Sequence, residues 1–373
     1  MFIMTRFLFF ILAFFLPIIS GCQVHEASNR ITGAGASFPA PVYRAWSAEY
    51  SSRNPVIVRY KSVGSSEGIR FVKSGKVDFG ASDITLSAEE LEQEDLIQIP
   101  VLIGGVAVVI NMPGIINKEM VFSGPVLVNI FMGRITKWDD PEIKKLNPNL
   151  RLPERSIAVV FRSDGSGTAW LFTQYLNSVS STWKTGPGSG DRIIWPTGTG
   201  ASKNEGVLRK VIETQGAIGF VEYTYAKKAG IACASLINRS GRSVNPSIQT
   251  FYAAAVKSAE NQSETDTFSL INLKGEECWP ITGYTYILLH KTLKSEKKAK
   301  ALIDFLTWCY GEKGKKITRQ LHYLPIEGNI SNQFIQKIKS YLLQDTDLLG
   351  LKTLFRSSLN VNHRIIRFRQ NIS

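Results

Sequence analysis

A chain of 373 residues can hold two domains with separate cores, and its 44% hydrophobic and 20% charged content is that of an ordinary globular protein, neither disordered nor collagen-like. The formal net charge of +13 does not mark a nucleic-acid binder. Lys352, Arg356, Arg364, Arg367 and Arg369 crowd into Leu351–Ser373 with no acid among them, and the other charges are spread without an RNA-binding, helix-turn-helix or zinc-finger pattern. An anionic small ligand or an anionic membrane surface fits the charge as well.

Arg6 precedes the apolar run Phe7–Leu16, which has the length of a signal-peptide core and falls short of the roughly 20 apolar residues that span a bilayer. Ile19-Ser20-Gly21-Cys22 follows, with an aliphatic residue, two small residues and a Cys in the order of a bacterial lipobox. The expectation is a lipoprotein signal peptide over residues 1–21 and a lipidated Cys22 at the start of the mature chain, anchored stably by two or more acyl chains. A plain signal peptide with an incidental Cys is the other reading. Residues 22–30 form a polar tether. The protein is therefore expected to be exported and membrane-anchored, facing the periplasm or the cell exterior.

Short β-rich runs then alternate with helix-like segments. Val56–Tyr60 reads as a strand, Gly64–Gly68 as a turn and Ile69–Lys73 as a helix. Val77–Ala81 and Leu96–Val101 read as further strands, and Val106–Ile110 as a separate buried apolar run. Ile157–Phe161 is another strand, Arg162–Gly167 a turn, Thr168–Leu176 a helix, Thr185–Gly190 a surface loop, Val207–Glu213 a helix and Ala217–Val221 a strand. This alternation predicts an α/β protein with two sheets that both contain parallel strands. For the tail, residues 346–373, a loosely docked helix, a membrane-surface contact and little order are all open, the last being favoured. Cys233, Cys278 and Cys309 have no metal-ligand spacing and read as buried or free thiols with at most one disulfide. The histidines His25, His290, His322 and His363 are scattered, so no metal and no cofactor is expected.

Three segments share one design, a small, hydroxyl-rich turn that opens a helix: Gly33-Ala-Gly-Ala-Ser37-Phe38-Pro39, Gly64-Ser65-Ser66-Glu67-Gly68, and Arg162-Ser-Asp164-Gly-Ser166-Gly167-Thr168. First-turn amides lack intrahelical partners and the helix dipole is positive at that end, so three such ends converging make an anion cage without a metal. A serine at a helix start is ordinarily just an N-cap; the joint occurrence with an arginine makes the case. Arg162 offers a planar fork suited to a tetrahedral oxyanion, and Asp164 is placed to hold it by an ion pair. Asp83, in Gly80-Ala-Ser-Asp83, conflicts with an anion site unless the anion still carries a proton. A carboxylate accepts a hydrogen bond from hydrogenphosphate or dihydrogenphosphate, whereas sulfate leaves it facing a bare oxyanion. Asp83 as a turn or capping residue is the plainer alternative.

At these residues the chain resembles the phosphate-binding subunit of the bacterial high-affinity phosphate ABC transporter. The matching stretches are Thr32–Tyr43, Val77–Asp83, Lys137–Asp140 with Lys145–Pro148, Arg162–Thr168, Trp195–Gly198 and Gly216–Tyr223, in order from about residue 31 to about residue 345. The resemblance implies a periplasmic-binding-protein fold of type II, with two α/β lobes joined by a hinge and the ligand cleft between them. The lobes are expected over residues 31–102 with 271–345, and over 103–270. It implies phosphate contacts from Ser37, Phe38 through its backbone amide, Ser65, Asp83, Arg162, Ser166, Gly167 and Thr168, with Asp164 supporting Arg162. The implied partners are inorganic phosphate and membrane permease subunits served by a separate ATPase. Two positions depart from the family pattern. Ser37 stands where many members have Thr, and Glu67 where Gly is common, a carboxylate that either weakens anion binding or faces solvent.

An enzyme is the main rival. Ser181-Thr-Trp-Lys184 and Lys184-Thr-Gly186 match penicillin-binding motifs but overlap at Lys184, whereas that chemistry needs them on separate elements. There is no nucleophile elbow, no histidine placed as a base for Ser166 and no P-loop. A receptor for sulfate is the other rival, and Asp83 weighs against it.

Overall fold

The computed structural model describes residues 30–115, 119–260, 269–293 and 295–343; Cys22, the signal segment, nearly all of the tether and the basic tail lie outside the described residues. In chain order the elements begin β1 Arg30–Gly35, α1 Ala40–Arg53, β2 Ile57–Ser62, α2 Ser65–Lys73, β3 Phe79–Ser82, α3 Ala88–Gln93 and β4 Leu96–Asn111. There follow β5 Val121–Phe122, α4 Gly124–Phe131, α5 Pro141–Leu146, β6 Ala158–Arg162, α6 Gly167–Val179, α7 Ser181–Thr185, β7 Thr199–Ala201, α8 Lys203–Glu213, β8 Ala217–Glu222 and α9 Tyr223–Ala229. The chain continues through β9 Ala232–Cys233, β10 Ser235–Ile237, β11 Ser243–Val244, α10 Ile248–Glu260, β12 Thr282–His290, α11 Glu296–Tyr310, α12 Glu312–Gln320, β13 Leu324–Pro325 and α13 Asn329–Leu342.

The main strands run in the order β2-β1-β3-β12-β4-β8-β6-β7. Both wings are parallel: β1 pairs with β2 and β3, and β6 with β7 and β8. The centre is antiparallel, through β12 on β3 and β4, and β4 on β8. The expected separate runs Leu96–Val101 and Val106–Ile110 are in fact one strand of 16 residues. Its first part pairs with β12 up to Gly105 and its last part with β8 from Val106. Gly104 and Gly105 sit at that change of partner, where a Cβ would lie 2.7 Å from the Phe38 ring and 2.1 Å from the Phe251 ring. They interrupt the apolar pattern without interrupting the strand, because aromatic rings pack directly on the backbone there.

Each wing has its own aromatic packing. On the first, Tyr43 meets Tyr60 at 4.8 Å and Tyr50 of α1 meets Phe305 of α11 at 5.2 Å. On the second, Phe172 stacks on Phe220 at 4.2 Å and Trp195 on Phe161 at 5.3 Å. Each such pair contributes about 0.5–1.5 kcal/mol beyond the area it buries. The buried indole N–H groups of Trp46, Trp138 and Trp279 donate to the carbonyls of Gly314, Gly216 and Val106, which removes the cost of burying them unpaired. Cys233, Cys278 and Cys309 are buried thiols. No helix among the described residues is long and apolar enough to cross a membrane.

Candidate functional site

The carboxyl ends of β1, β2, β3 and β6 run into the segments that carry Ser37, Ser65, Asp83 and Arg162, the side of a parallel sheet where open α/β proteins place ligands. Backbone bonds lock these loops together. The Ala36 amide donates to the Ala81 carbonyl at 2.9 Å, and the Val63 and Gly64 amides both donate to the Gly35 carbonyl, at 2.8 and 2.9 Å.

Arg162 ends β6 with its side chain 1% exposed. Its Nε donates to Asp164 Oδ1 at 2.8 Å and its Nη2 to Asp164 Oδ2 at 2.7 Å, a planar two-point pair. The third nitrogen, Nη1, is buried and has no partner among the described residues. Burial alone would raise the Asp164 carboxyl, but the bonds and charge of Arg162, with the Lys203 amide, outweigh it and hold that carboxyl below the usual range. The pair is fixed in place, with the charged Nη1 donors left to give.

Asp83 is buried and has no such cation partner. Its Oδ1 accepts from the Thr285 hydroxyl on β12 at 2.6 Å and its Oδ2 from Ser65 at 3.4 Å. Burial pushes its carboxyl up to about 7, against the downward pull of Thr285, of the Arg162 charge and of Ser65. The amino end of α6 closes on it. The Gly167 amide donates to Ser65 Oγ at 3.0 Å, and a Cβ on Gly167 would lie 2.4 Å from Asp83 Oδ2, so only glycine fits.

The hydroxyls are oriented as donors. Ser166 caps α6, accepting from the Ala169 amide at 3.1 Å, which leaves its own proton free. Asn204 on α8 donates to Ser37 Oγ at 3.0 Å and to Thr168 Oγ1 at 3.2 Å. Its carbonyl end accepts from the Glu222 amide at 2.9 Å, which fixes which end of the side chain is the donor. Both hydroxyls therefore accept from Asn204 and keep their protons. The Phe38 ring packs against Gly104 and Tyr323, so the polar group this residue can offer a ligand is its backbone amide. The Tyr225 hydroxyl donates to the Ser37 carbonyl at 2.7 Å, and because that peptide is trans, its N–H, on Phe38, points the opposite way.

Ser65, Asp83 and Gly167 are thus linked directly, Arg162 acts on Asp83 through its charge and carries Asp164, and Asn204 ties Ser37 to Thr168. Glu67 stands apart, in an exposed pair with Arg70 at 2.6 Å. The motif residues Lys184 and Ser181 lie together on the five-residue helix α7, both exposed. Thr285, Asn204, Tyr225 and Tyr323 escape a reading of the sequence, since each lies far along the chain from the partner it holds. The strand Ala217–Glu222 lies in a stretch that carries the family resemblance, but nothing in its pattern marks a role for Glu222.

The PBP superfamily domain matches residues 23–313. The Phosphate-binding protein PstS of Pasteurella multocida is 41% identical over 329 residues, 88% of this chain and 94% of that protein. The Phosphate-binding protein PstS of Haemophilus influenzae is 40% identical over 317 residues, 85% of this chain and 95% of that protein. Among solved structures, a phosphate-binding protein from Stenotrophomonas maltophilia aligns with a TM-score of 0.62 at 20% identity, over 85% of this chain and 97% of that one, which establishes the shared periplasmic-binding-protein fold. With sequence identity running nearly end to end on both sides, the chain belongs to the PBP superfamily and, within it, to the family of the phosphate-binding proteins PstS.

Proposed function

We propose that this chain is an extracytoplasmic receptor that binds inorganic phosphate, as hydrogenphosphate or dihydrogenphosphate, and delivers it to the permease of an ABC transporter. It is a binding protein and not an enzyme, as its relatives are. The observation that carries the reading is the pairing of two unlike groups in one buried place. Arg162 has a charged N–H without a partner, and Asp83 is a buried carboxyl without a cation. A group that takes a hydrogen bond from one and shares a proton with the other satisfies both; a fully deprotonated oxyanion satisfies only Arg162.

The contacts assigned to phosphate are the hydroxyls of Ser37, Ser65, Ser166 and Thr168, the amides of Phe38, Gly167 and Thr168, Arg162 Nη1 and Asp83; the Ser65 hydroxyl and the Gly167 amide, which here bond Asp83 and Ser65, turn to the anion when it enters. Asp164 holds Arg162 in register. Amides and hydroxyls outnumber charges in this set, which suits an anion that must be both held and released.

The lobes assigned are residues 31–102 with 271–345, and 103–270. The change of strand partner within β4 supports a hinge near Gly104–Gly105. Bonds of Ser65 to Gly167, Asn204 to Ser37 and Ser66 to Asp191 join the two, as in a closed receptor. Phosphate binds the closed form better because donors come from both sides, and that difference in affinity drives closure. Export and anchoring through Cys22 rest on the residue pattern of the first 22 positions.

Equilibrium dialysis of the acyl-free protein with radiolabelled phosphate tests the reading. The expected result is one phosphate per chain, retained against excess sulfate and recovered unchanged. No uptake, displacement by sulfate, or conversion to product each overturns it.

A further inference from the structure

The turn Ala36–Phe38 is held by three tyrosine hydroxyls, one on each successive carbonyl: Tyr60 on Ala36 at 2.6 Å, Tyr225 on Ser37 at 2.7 Å and Tyr323 on Phe38 at 2.7 Å. The second contact of Tyr225, to Glu205 Oε1, is a long 3.3 Å, whereas Tyr323 makes a second short one, 2.5 Å from Glu222 Oε2. Oxygen atoms at either separation need a proton between them. A phenol carries one proton and the Phe38 carbonyl carries none. Two short contacts and one phenolic proton leave a deficit of one, and the carboxyl of Glu222 is the group able to supply it.

The rest of the surroundings agree. Glu222 is fully buried. The Thr224 hydroxyl lies 2.5 Å from the Leu321 carbonyl, so its proton is spent there and not on Glu222 Oε1 at 3.2 Å. The Thr224 amide, 3.0 Å from both carboxyl oxygens, needs only an acceptor, and the carbonyl oxygen of a neutral acid serves. Glu222 caps the seven-residue helix α9, which favours charge on it, but one helix end does not replace the missing proton.

We propose that Glu222 is a neutral carboxylic acid in this protein, donating its proton to Tyr323 so that Tyr323 can donate to the Phe38 carbonyl, and that it acts in this way as a positioning residue for the anion-binding turn. Burial pushes the Glu222 carboxyl up to about 8, with the Asp83 charge adding to it and Tyr323 and Thr224 pulling the other way. The titratable groups that face it are Tyr323, Tyr223 and Tyr225, all pushed up by burial, and Asp83. An acid whose folded pKa lies above its unfolded value of 4.5 contributes fully at low pH and loses that contribution as pH rises through about 8. Ionisation there puts two acceptors on one phenolic proton and releases the turn.

The protonation state stands on the hydrogen-bond geometry; its effect on affinity rests on the phosphate reading above, and the test separates the two. Infrared spectra are recorded at neutral pH on Asp83→Asn, which removes the other buried acid. They are expected to contain a protonated carboxyl band that disappears when Glu222→Gln is added and bleaches as pH rises through about 8. A missing band, or one that survives Glu222→Gln, overturns the proposal. In the otherwise unaltered chain, Glu222→Ala is expected to weaken phosphate binding about tenfold or more, the effect of one buried group left unpaired. Glu222→Gln, whose amide offers Tyr323 a proton from the same place, is expected to restore binding and to remove the loss of affinity above pH 8. A glutamine variant as weak as the alanine variant overturns the positioning role. Absence of phosphate uptake by the unaltered chain sinks the functional reading and leaves the infrared result to decide the protonation state alone.

Discussion

Asp83 and Asp164 stand at strand ends in opposite wings of one sheet, in the same site, and their surroundings push them in opposite directions. Asp164 is tied at two points to Arg162 and held below the usual carboxylate range. Asp83, buried on Thr285 and Ser65, is pushed up to about 7. The lesson is a division of labour between like residues. A carboxylate with a cation becomes a fixed strut that aims the guanidinium. One without a cation has, when ionised, only acceptors to offer and so can tell a protonated oxyanion from a bare one.

The most severe way to break this contrast is to remove the residue that creates it. Arg162→Ala is expected to lower phosphate affinity by about 10²- to 10³-fold, from lost charge-assisted bonds together with an Asp164 carboxylate left unpaired. Titration calorimetry measures it, and unchanged binding would remove Arg162 from the site. Asp164→Asn should cost less, about tenfold, because the guanidinium stays but loses a charged acceptor at Nε and Nη2. A full loss of binding would mean that Asp164 meets the anion itself.

Asp83→Asn sharpens the other arm. On the proposed reading sulfate competes with phosphate in the variant but not in the native protein; an unaltered preference places selectivity elsewhere. The variant also has a pH signature without ligand. A carboxyl raised from 3.8 to about 7 on folding destabilises the protein progressively as pH rises across that range, and the asparagine cannot ionise. Melting temperatures of native and variant chains should therefore be close at pH 4 and separate by pH 8, with the variant higher. A constant gap contradicts the assigned shift.

The smallest effect is expected from Glu67, a third carboxylate on α2 near the site in sequence. It lies in an exposed pair with Arg70, and such pairs contribute about 0–1 kcal/mol. Glu67→Gly should change phosphate affinity less than about twofold. A larger gain would show that its charge reaches the anion.

Much of the candidate site could be read from local pattern. Ser37, Ser65, Ser166 and Thr168 lie at helix starts, where hydroxyls, glycine and unpaired amides occur together within a few residues, and Arg162 with Asp164 forms a pair only two positions apart. The groups that orient them could not be read. Thr285 reaches Asp83 from 202 residues away, Asn204 reaches Ser37 from 167 and Tyr323 reaches Phe38 from 285. Each is an unremarkable polar residue until folding brings the partner to it. The fold shows the same limit: apolar runs on either side of Gly104–Gly105 look like two strands, because the rings that pack on those glycines, Phe38 and Phe251, are remote in sequence.

The central claim is that one anion touches both Asp83 and Arg162. A crystal structure of the protein grown with phosphate tests it most directly. The account predicts a tetrahedral anion within hydrogen-bond distance of Arg162 Nη1 and of an Asp83 carboxyl oxygen at once; an anion seated away from Asp83, or none between the two, contradicts it.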